Sequence, residues 1–489
     1  MLLAALLLAA AQGPVVATDA GPLRGEQGAD RVTFRGIPFA APPVGPLRWR
    51  PPASVAPWKA PRDATVSGPA CPQIDYGAWN HDAAAHASED CLYLEVATPA
   101  LNPAKPLPVM VWIHGGGNRA GAGNGTVASP IVARGVVLVS VQYRLNALGF
   151  LSHPALSKEQ GGHSGNYGLM DQQAALRWVK RNIAAFGGDP ANVTIFGESA
   201  GGQDVGLQLL SPGARGLFAK AIEQSGTPGF GTPPRSLAEN ERLGVLLTAK
   251  AGAGERASAA ELRALPFAAL VQASETVDVP DLDDDSFIWL QAVVDGAVLR
   301  ETPAETLARG GQVRVPLLIG SNARELTLHG GAERAISRAF GAQTKAARAF
   351  YGVGPGRTPV DDDRLGDLGL QLSNDLNFRC PTALVARAQA RAGAPVWQYH
   401  FDYRPGRAGP VTHGSDIGFV LGDAGSKSGA PDLASYWINF ARTGDPNGPG
   451  LANWPRFATG DEAYLGFTQV GPRPGNRLRA EICDLRTAP

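Results

Sequence analysis

Runs of apolar residues mark several short strands along the chain. Residues 107–113 (LPVMVWI), 193–196 (VTIF) and 315–320 (VPLLIG) are almost continuously apolar or β-branched, which is typical of buried strands. Residues 396–403 (VWQYHFDY) alternate in the manner of a strand. Directly after the second run, residues 199–212 (SAGGQDVGLQLLSP) predict a helix that ends at the final proline. The pattern therefore predicts a strand, a turn and a helix in direct succession.

Ser199 lies at the turn between that strand and that helix. Small residues flank it at Gly197, Ala200 and Gly201, and a sharp strand-to-helix turn needs them because its backbone runs close to the neighbouring strand. This arrangement is typical of a nucleophile elbow. In such an elbow a strained turn lifts the serine hydroxyl out of the sheet, and the N-terminus of the following helix points at that hydroxyl. The G-x-S-x-G pattern alone is a weak signal, since 61 of the 489 residues are glycine, and an ordinary loop is the alternative.

The charge balance indicates which class of partner the protein binds, and the continuity of the chain indicates how many domains it forms. Lysine plus arginine and aspartate plus glutamate each number 44, so the composition argues against binding to nucleic acid or an anionic membrane surface and favours a neutral small molecule. No low-complexity linker, charge block or internal repeat divides the chain. We therefore expect one large domain over residues 12–489, and the sequence leaves its oligomeric state open.

The first 11 residues predict a secretory signal, because they are apolar and small residues follow, although the usual basic residue near the start is missing. The stretch is too short to cross a bilayer, which takes roughly 20 apolar residues, and no other stretch comes close, so we expect no integral membrane segment. Four cysteines fit two disulfides formed outside the cytoplasm, with four buried free thiols as the alternative. We expect a secreted or periplasmic protein.

Two of the eight histidines are candidates for catalysis. His114 begins the run HGGG after a predicted strand, and consecutive glycines there let backbone N–H groups approach a ligand, as in an oxyanion hole. His413 lies in a loop after a strand near the C-terminal end, where a general base would follow the serine and the acid in chain order. The others are expected to pack in a strand (His400) or to lie in polar surface stretches, namely His81, His86, His153, His163 and His329.

Longer motifs give the chain a family resemblance. Residues 186–201 (FGGDPANVTIFGESAG) match the serine signature of type-B carboxylesterases throughout, and residues 89–99 (EDCLYLEVATP) match the second signature except at Glu95, where Asp, Asn or Ser is usual. The resemblance extends from residues 34–52 (FRGIPFAAPPVGPLRWRPP) to residues 436–448 (YWINFARTGDPNG). It implies the α/β-hydrolase fold, a mostly parallel central sheet flanked by helices, with long insertions that form an active-site gorge.

The resemblance also implies a role for each matching residue. Ser199 is the expected nucleophile, His413 the base and Glu325 the acid of a catalytic triad. Only its spacing from Gly320 identifies the acid, since NARE replaces a more usual Asp-Glu pair, and Asp416 is the alternative nearest to the histidine in sequence. The expected oxyanion donors are the backbone N–H groups of Gly116, Gly117 and Ala200, and the positions that support the triad are Glu198 and Ser225.

Other matching residues are expected to hold the fold together. The resemblance implies two disulfides and two buried ion pairs, which are Cys71–Cys91, Cys380–Cys483, Arg48–Glu89 and Arg144–Asp171. Two positions depart from the relatives: Asn118 follows the glycines where an aromatic residue is frequent, and Asp204 replaces a usual serine. We expect either to affect substrate choice, with Asn118 making the acyl side of the pocket wider or more polar.

The implied chemistry is hydrolysis of a small-molecule ester through an acyl-enzyme, and it needs neither a metal nor an organic cofactor. The acidic run at residues 278–287 (DVPDLDDDSF) lacks the glycine and terminal glutamate of a calcium loop, so we expect a solvated loop. A lipase is one alternative, but the stretch between Cys71 and Cys91 is mostly polar and favours soluble esters. A non-catalytic binding protein is another, but it would typically lack Ser199, His413 or the glycine run.

Overall fold

The structure is a computed structural model that describes residues 13–231, 234–254, 256–277, 292–327, 331–359, 361–407 and 409–486. The expected signal at 1–11, the acidic run at 278–287 and His329 lie outside the described residues. Within the described part, no helix is both long enough and apolar enough to cross a membrane.

Two sheets organise the described chain, one of eleven strands and one of three. The strands in chain order are β1 (Val15–Ala17), β2 (Pro22–Arg24), β3 (Glu26–Gln27), β4 (Val32–Pro38), β5 (Arg62–Asp63), β6 (Tyr93–Thr98), β7 (Leu107–Ile113), β8 (Val137–Val141), β9 (Gly188–Glu198), β10 (Lys220–Gln224), β11 (Leu317–Asn322), β12 (Val396–Asp402), β13 (Ala463–Thr468) and β14 (Gly471–Asn476). The large sheet has the order β14-β13-β12-β11-β10-β9-β7-β8-β6-β4-β3, and the small one has the order β1-β2-β5.

The middle of the large sheet is parallel and its two ends are antiparallel. Strands β8, β7, β9, β10, β11, β12 and β13 pair in parallel, whereas β14 at one end and β6, β4 and β3 at the other pair antiparallel. Parallel strands need crossover connections, which this chain makes with helices. The carboxyl ends of the parallel strands therefore meet at one edge, where α/β proteins place their sites.

The helices are α1 (His81–Ala85), α2 (Asn146–Phe150), α3 (Pro154–Glu159), α4 (Tyr167–Asn182), α5 (Ala200–Leu210), α6 (Leu237–Lys250), α7 (Ala259–Ala264), α8 (Phe267–Thr276), α9 (Pro303–Ala308), α10 (Ala332–Phe340), α11 (Thr344–Phe350), α12 (Leu368–Asn374), α13 (Cys380–Arg391), α14 (Ile417–Val420), α15 (Leu433–Thr443) and α16 (Ala480–Cys483). A π-helical turn at Asp375–Arg379 joins α12 to α13.

The large sheet is buried on both faces, which explains the continuous apolar runs. Alternate residues of β7 enter different cores: Val109 and Val111 pack with α4, α5 and α13, whereas Met110 and Trp112 pack with α15. Burying such side chains stabilises the fold by roughly 1.5–3 kcal/mol each. The structure thus confirms the predicted mostly parallel sheet flanked by helices.

Covalent and ionic contacts connect distant segments. The structure contains both disulfides implied by the resemblance, Cys71–Cys91 and Cys380–Cys483. It also contains both ion pairs: Arg144 lies 2.7 Å from Asp171 with both side chains buried, and Arg48 lies 2.6 Å from Glu89. Removing one partner of such a pair leaves an uncompensated buried charge, so these arginines serve the fold.

Of the histidines outside the candidate site, His153 lies in a different environment from the one predicted. His81 and His86 are exposed, and His400 packs inside β12, as predicted. His153 is buried, and the prediction of a surface position was wrong for it. Its ring accepts a hydrogen bond from the backbone N–H of Ala155 and caps the first turn of α3.

Candidate active site

Ser199 forms a strained turn at the carboxyl end of the sheet. Strand β9 ends at Glu198, helix α5 begins at Ala200, and Ser199 between them has φ 59° and ψ −126°, a region that non-glycine residues seldom occupy. Its N–H donates to the Gln224 carbonyl of β10 over 2.9 Å, which ties the turn to the next strand. The serine therefore sits at the apex of a sharp strand-to-helix turn, as the sequence predicted.

Two flanking glycines are required by close backbone approach. A Cβ at Gly197 would lie 2.5 Å from the carbonyl carbon and oxygen of Gly201, and a Cβ at Gly201 would lie 2.0 Å from the Ile113 carbonyl oxygen at the end of β7. No side chain fits at such distances without moving the backbone. The small residues thus let α5 begin directly against the sheet, as we predicted for this turn.

The glycine loop, residues Gly115–Gly117 after β7, lies against the serine. A Cβ at Gly115 would meet the Ser199 Cβ at 3.0 Å and the Glu198 Oε2 at 3.2 Å. Gly116 and Gly117 have φ of 102° and 65°, so the loop turns sharply here. Ala200 is the first residue of α5, and N–H groups in a first helical turn have no partner within the helix. The three candidate oxyanion donors thus belong to two segments that meet at Ser199.

His413 is held by Glu325. The Nδ1 atom of the histidine lies 2.6 Å from Oε2 of the glutamate, whose other oxygen accepts hydrogen bonds from the Asn322 N–H at 2.5 Å and the Ser225 hydroxyl at 2.8 Å. Asn322 in turn donates its side-chain amide to Ser225 over 3.1 Å. The carboxylate is thus fully buried and oriented by donors on the opposite side from the imidazole.

Asp416, the alternative acid, is bonded to other groups. It accepts hydrogen bonds from the Tyr399 hydroxyl at 2.7 Å, the Gln224 amide at 2.8 Å and the Asn322 amide at 3.3 Å. Burial raises the pKa of this carboxyl, and the three donors oppose that rise. Of the two carboxyls weighed from the sequence, Glu325 is therefore the one in hydrogen-bond contact with the His413 ring.

Glu198 approaches the opposite nitrogen of the histidine. Its Oε1 lies 3.3 Å from Nε2 of His413, and burial raises the pKa of Glu198 to about 8 against the effect of the nearby imidazole. Burial acts to lower the pKa of His413, but the Glu198 charge, the bond and charge of Glu325 and the Asp416 charge together raise it to about 9. The histidine thus lies between two carboxyl groups, with 19% of its side chain exposed.

The other candidate histidine, His114, is buried beneath the glycine loop. Its ring stacks on Tyr143 at 4.5 Å, and burial lowers its pKa to about 4, so the ring is neutral. The Tyr143 hydroxyl donates to the His114 carbonyl over 2.7 Å. The residue anchors the start of the loop that the HGGG motif predicted.

The two positions that depart from the family contact each other. Asn118 donates its amide to Asp204 over 3.1 Å, and both side chains are buried. The Asn118 side chain is only 1% exposed and turns to Asp204, and the expectation that it makes the acyl side of the pocket wider or more polar stays a prediction. Asp204 lies in the second turn of α5. The sequence showed the carboxylate near the start of this helix but did not predict its contact with Asn118.

A cleft lies beyond the glycine loop, between residues 67–86 and residues 121–124, and neither Ser199 nor His413 is among the residues that line it. It encloses about 580 Å³, and its lining includes Trp79, Asp82, His86 and Asn124. Gln73 joins the two walls through hydrogen bonds to the N–H and carbonyl of Gly121. Among the residues that the structure describes, no three His, Cys, Asp or Glu side chains form a cluster that could hold a metal ion.

Two residues of the site were missed from the sequence. Asn322 orients both Glu325 and Ser225, and a polar residue at the end of a buried strand could have indicated it. Phe378, in the π-helical turn, packs edge-on against His413 with ring centroids 5.6 Å apart. No sequence pattern marks that contact, because it depends on how the turn folds back over the sheet.

Comparison with known proteins gives concordant matches. The profile of the carboxylesterase family matches residues 12–343 and 342–485. The chain is 37% identical to fumonisin B1 esterase of Sphingopyxis macrogoltabida over 94% of this chain and 87% of that protein, and 34% identical to para-nitrobenzyl esterase of Bacillus subtilis (strain 168) over 91% and 92%. A solved PNB esterase structure, 31% identical, superposes with a TM-score of 0.85 over 97% of this chain and 99% of that one.

Proposed function

The chain belongs to the carboxylesterase family and is a carboxylic ester hydrolase, and from this premise we propose that Ser199, His413 and Glu325 form its catalytic triad. The observation that carries the proposal is the 2.6 Å contact between His413 Nδ1 and Glu325. It is supported by the strained turn at Ser199, whose neighbour Glu198 lies 3.3 Å from the other ring nitrogen of His413. The contact with Glu325 leaves Nε2 as the nitrogen that exchanges a proton with the serine.

The first half of the reaction forms an acyl-enzyme. His413 removes the proton of Ser199 as the hydroxyl oxygen attacks the ester carbonyl, and Glu325 holds the imidazole in the required tautomer and stabilises its charged form. The negative oxygen that develops is stabilised by the backbone N–H groups of Gly116, Gly117 and Ala200. Each such donor lowers the barrier by roughly 3–4 kcal/mol. The same histidine then protonates the departing alcohol.

The second half releases the acid. A water molecule takes the place of the alcohol, and its oxygen attacks the acyl carbonyl carbon while His413 accepts one of its protons. The tetrahedral intermediate then breaks its bond to the Ser199 oxygen, which takes the proton back from His413 as the acid leaves. Each step uses side chains and backbone of this chain, and none requires a metal or an organic cofactor.

We propose small, soluble esters as the substrate class. The net charge is zero, and the segment between Cys71 and Cys91 beside the cleft is mostly polar. The similar proteins are named for esters as different as fumonisin B1 and para-nitrobenzyl esters, so the names do not fix the acyl or alcohol group. A lipase remains the alternative. Nitrophenyl esters of increasing acyl length, supplied below and above their solubility limits, separate the two, because only a lipase gains rate sharply above the limit.

We also propose that the protein is exported, because structural disulfides persist in oxidising compartments. All four cysteines are paired in the structure. Thiol titration of the denatured, unreduced protein should therefore find almost no free thiol. Four titratable thiols would count against export.

Covalent labelling tests the nucleophile. A sulfonyl fluoride should modify Ser199 far faster than any other serine, and peptide mass mapping should locate the adduct there. Ser199→Ala should lose esterase turnover by a factor on the order of 10⁶. Ser435→Ala is the matched control, since Ser435 donates its N–H and hydroxyl to Asp432, the residue that caps α15, and the variant should keep normal turnover. Substantial turnover in Ser199→Ala, or an adduct elsewhere, would remove Ser199 from the proposal.

A further inference from the structure

A buried polar network lies under the oxyanion site, and the triad does not use it. Asp204 in α5 accepts a hydrogen bond from the Asn118 amide at 3.1 Å on one oxygen and from the Gln172 amide at 2.6 Å on the other. Asp204 is completely buried and Asn118 is 1% exposed. The network thus joins the residue directly after the glycine loop to the helix whose first residue is Ala200.

The amides behind Asp204 all donate in its direction. Gln172 accepts from the amide of Gln208 over 2.9 Å, and Gln208 accepts from the amide of Gln173 over 3.0 Å. Gln172 and Gln208 thus each donate towards the carboxylate and accept from the next amide along. Burial raises the pKa of Asp204 to about 7, and hydrogen bonds from Asn118, Gln172 and Gln203 act against that rise. The arrangement is thus built around an acceptor at Asp204.

Asn118 is fixed from three directions. Its backbone carbonyl accepts from the Asn146 N–H at 2.7 Å, its side-chain oxygen lies 3.1 Å from the Tyr143 hydroxyl, and its amide reaches Asp204. The backbone is in the left-handed region at φ 54°. A non-glycine residue persists in that region only where its surroundings hold it there. The three glycines before it have no side chains of their own to fix their position.

We propose that Asn118 and Asp204 are a positioning pair that holds the glycine loop against the first turn of α5, so that the N–H groups of Gly117 and Ala200 converge on one oxygen atom. The proposal rests on the function proposed above. It follows from the geometry, because the pair is a side-chain bond between the two segments that carry the donors, one residue from Gly117 and four from Ala200 along the chain. Catalysis by such donors depends on their being fixed in advance of the reaction.

The test measures catalysis and oxyanion binding in two single variants and their double. Asp204→Ala removes the acceptor, and Asn118→Gly removes the amide while allowing the positive φ. Turnover is measured per active site, counted by organophosphate titration, so that unfolded protein does not enter. We expect each single variant to lower kcat on the order of 10-fold, less than loss of a whole donor, with little change in KM. The double variant should lose no more than the worse single, because the two residues act as one unit.

A trifluoromethyl ketone reports on the oxyanion site directly, since its adduct with the serine carries the same negative oxygen as the intermediate. Its affinity should fall by the same factor as kcat/KM. Asp295→Asn is the matched control, because Asp295 is also a buried aspartate but, among the described residues, its hydrogen bonds go to the turn at residues 297–299 and to Asn166. It should lower thermal stability and leave kcat per site unchanged.

Several results would overturn the positioning pair. Unchanged kcat and ketone affinity in Asp204→Ala, multiplicative losses in the double variant, or equal losses in Asp295→Asn would each make the network merely structural. Should Asp204→Ala fail to fold, Asn118→Gly still decides, because it leaves the Gln172 bond to Asp204 in place. Failure of the proposed function is seen separately, as activity that survives Ser199→Ala.

Discussion

The two sides of Ser199 are built from different chemistry. On the proton-transfer side, comprising Glu198, Ser225, Glu325, His413 and Asp416, three buried carboxyl groups surround one imidazole. On the loop side, comprising the glycine loop with Asn118, Gln172 and Asp204, one carboxyl group is met by side-chain amides. In the proposed mechanism the first side contains the groups whose charge changes during the reaction. The second side contains the groups whose positions stay fixed while the charge of the substrate changes.

Burial from water strengthens the electrostatic interactions on both sides of Ser199. A low local dielectric strengthens the interaction of His413 with its carboxyl neighbours and also that of backbone donors with the developing oxyanion. We therefore expect the proton-transfer side to be sensitive to a change of charge and the loop side to be sensitive to the loss of a side chain. Substitutions that keep shape and change charge should therefore act mainly on the proton-transfer side.

The largest effect is expected for Glu325→Gln. Oε1 of Glu325 already accepts from the Asn322 N–H and the Ser225 hydroxyl, so the new amide NH₂ would face His413 Nδ1 and favour the wrong tautomer. A loss of turnover on the order of 10⁴ is expected, with a much smaller change in substrate affinity, as in the serine-protease precedent. Steady-state kinetics on a nitrophenyl ester measures it.

Asp416→Asn is the control for that substitution. Asp416 binds Tyr399, Gln224 and Asn322, not the His413 ring, so its variant should lose far less turnover. If Asp416→Asn were as inactive as Glu325→Gln, or if the Glu325 variant kept near-normal turnover and pH profile, the assignment of the acid would be wrong.

The two disulfides offer a second comparison, because Cys380–Cys483 lies near the proton-transfer side and Cys71–Cys91 lies near the loop side. Cys380 follows the turn that carries Phe378 against His413, and the segment from Cys71 binds Gly121 beyond the glycine loop through Gln73. They span 103 and 20 residues, so in the chain-entropy model they stabilise by about 4–5 and about 3 kcal/mol.

Replacing Cys380 and Cys483 by serine should therefore lower the urea midpoint more than replacing Cys71 and Cys91. Tryptophan fluorescence follows the transition in both double variants and in the unmodified protein. A larger fall for the Cys71/Cys91 variant would contradict the order, and would mean that the short loop is held mainly by native contacts rather than by the constraint on the unfolded chain.

The smallest effect is a shift in pH dependence for Glu198→Gln. His413 must be neutral to act as a base, so activity falls as pH drops through its pKa, which its carboxyl neighbours raise to about 9 against the opposing effect of burial. Removing the Glu198 charge should lower that pKa, by roughly 1 unit or more. The acid limb of the kcat/KM profile then moves to lower pH, and the variant gains relative activity near pH 6. An unmoved limb would show that Glu198 carries no charge in the free enzyme.

The sequence predicted the parts of the site that lie within continuous motifs. The turn at Ser199 follows from a strand, small residues and a helix next to each other, and the structure confirms it. His413 could be selected by its loop position near the C-terminal end, but Glu325 came from resemblance, because it lies 88 positions before His413 and no local pattern joins the two. The parallel centre of the sheet was foreseen, whereas the antiparallel ends were not, because β3 has only two residues and β14, with its sequence GPRPGN, has no hydrophobic pattern.

The contact between Asn118 and Asp204 could not be predicted from the sequence, for a physical reason. Each residue could be noticed alone as a departure, but 86 positions separate them and neither lies in a periodic pattern that predicts its direction. Their meeting depends on α5 starting against β7, and that depends on the absence of a side chain at Gly201. The same dependence explains why His153 was misplaced: a polar local sequence does not reveal that a helix cap will be covered by tertiary packing.

The ends of the large sheet also bear on how the protein behaves in concentrated solution. β14 forms one edge and contains Pro472 and Pro474, which pair with Phe467 and Leu465 of β13. Proline is tolerated in a paired strand where its missing N–H would point outwards, so this edge offers fewer donors to a strand of another molecule. The opposite edge, β3, is only two residues long, both polar. Neither edge is a good template for adding strands, so the eleven-stranded sheet is protected against edge-to-edge aggregation.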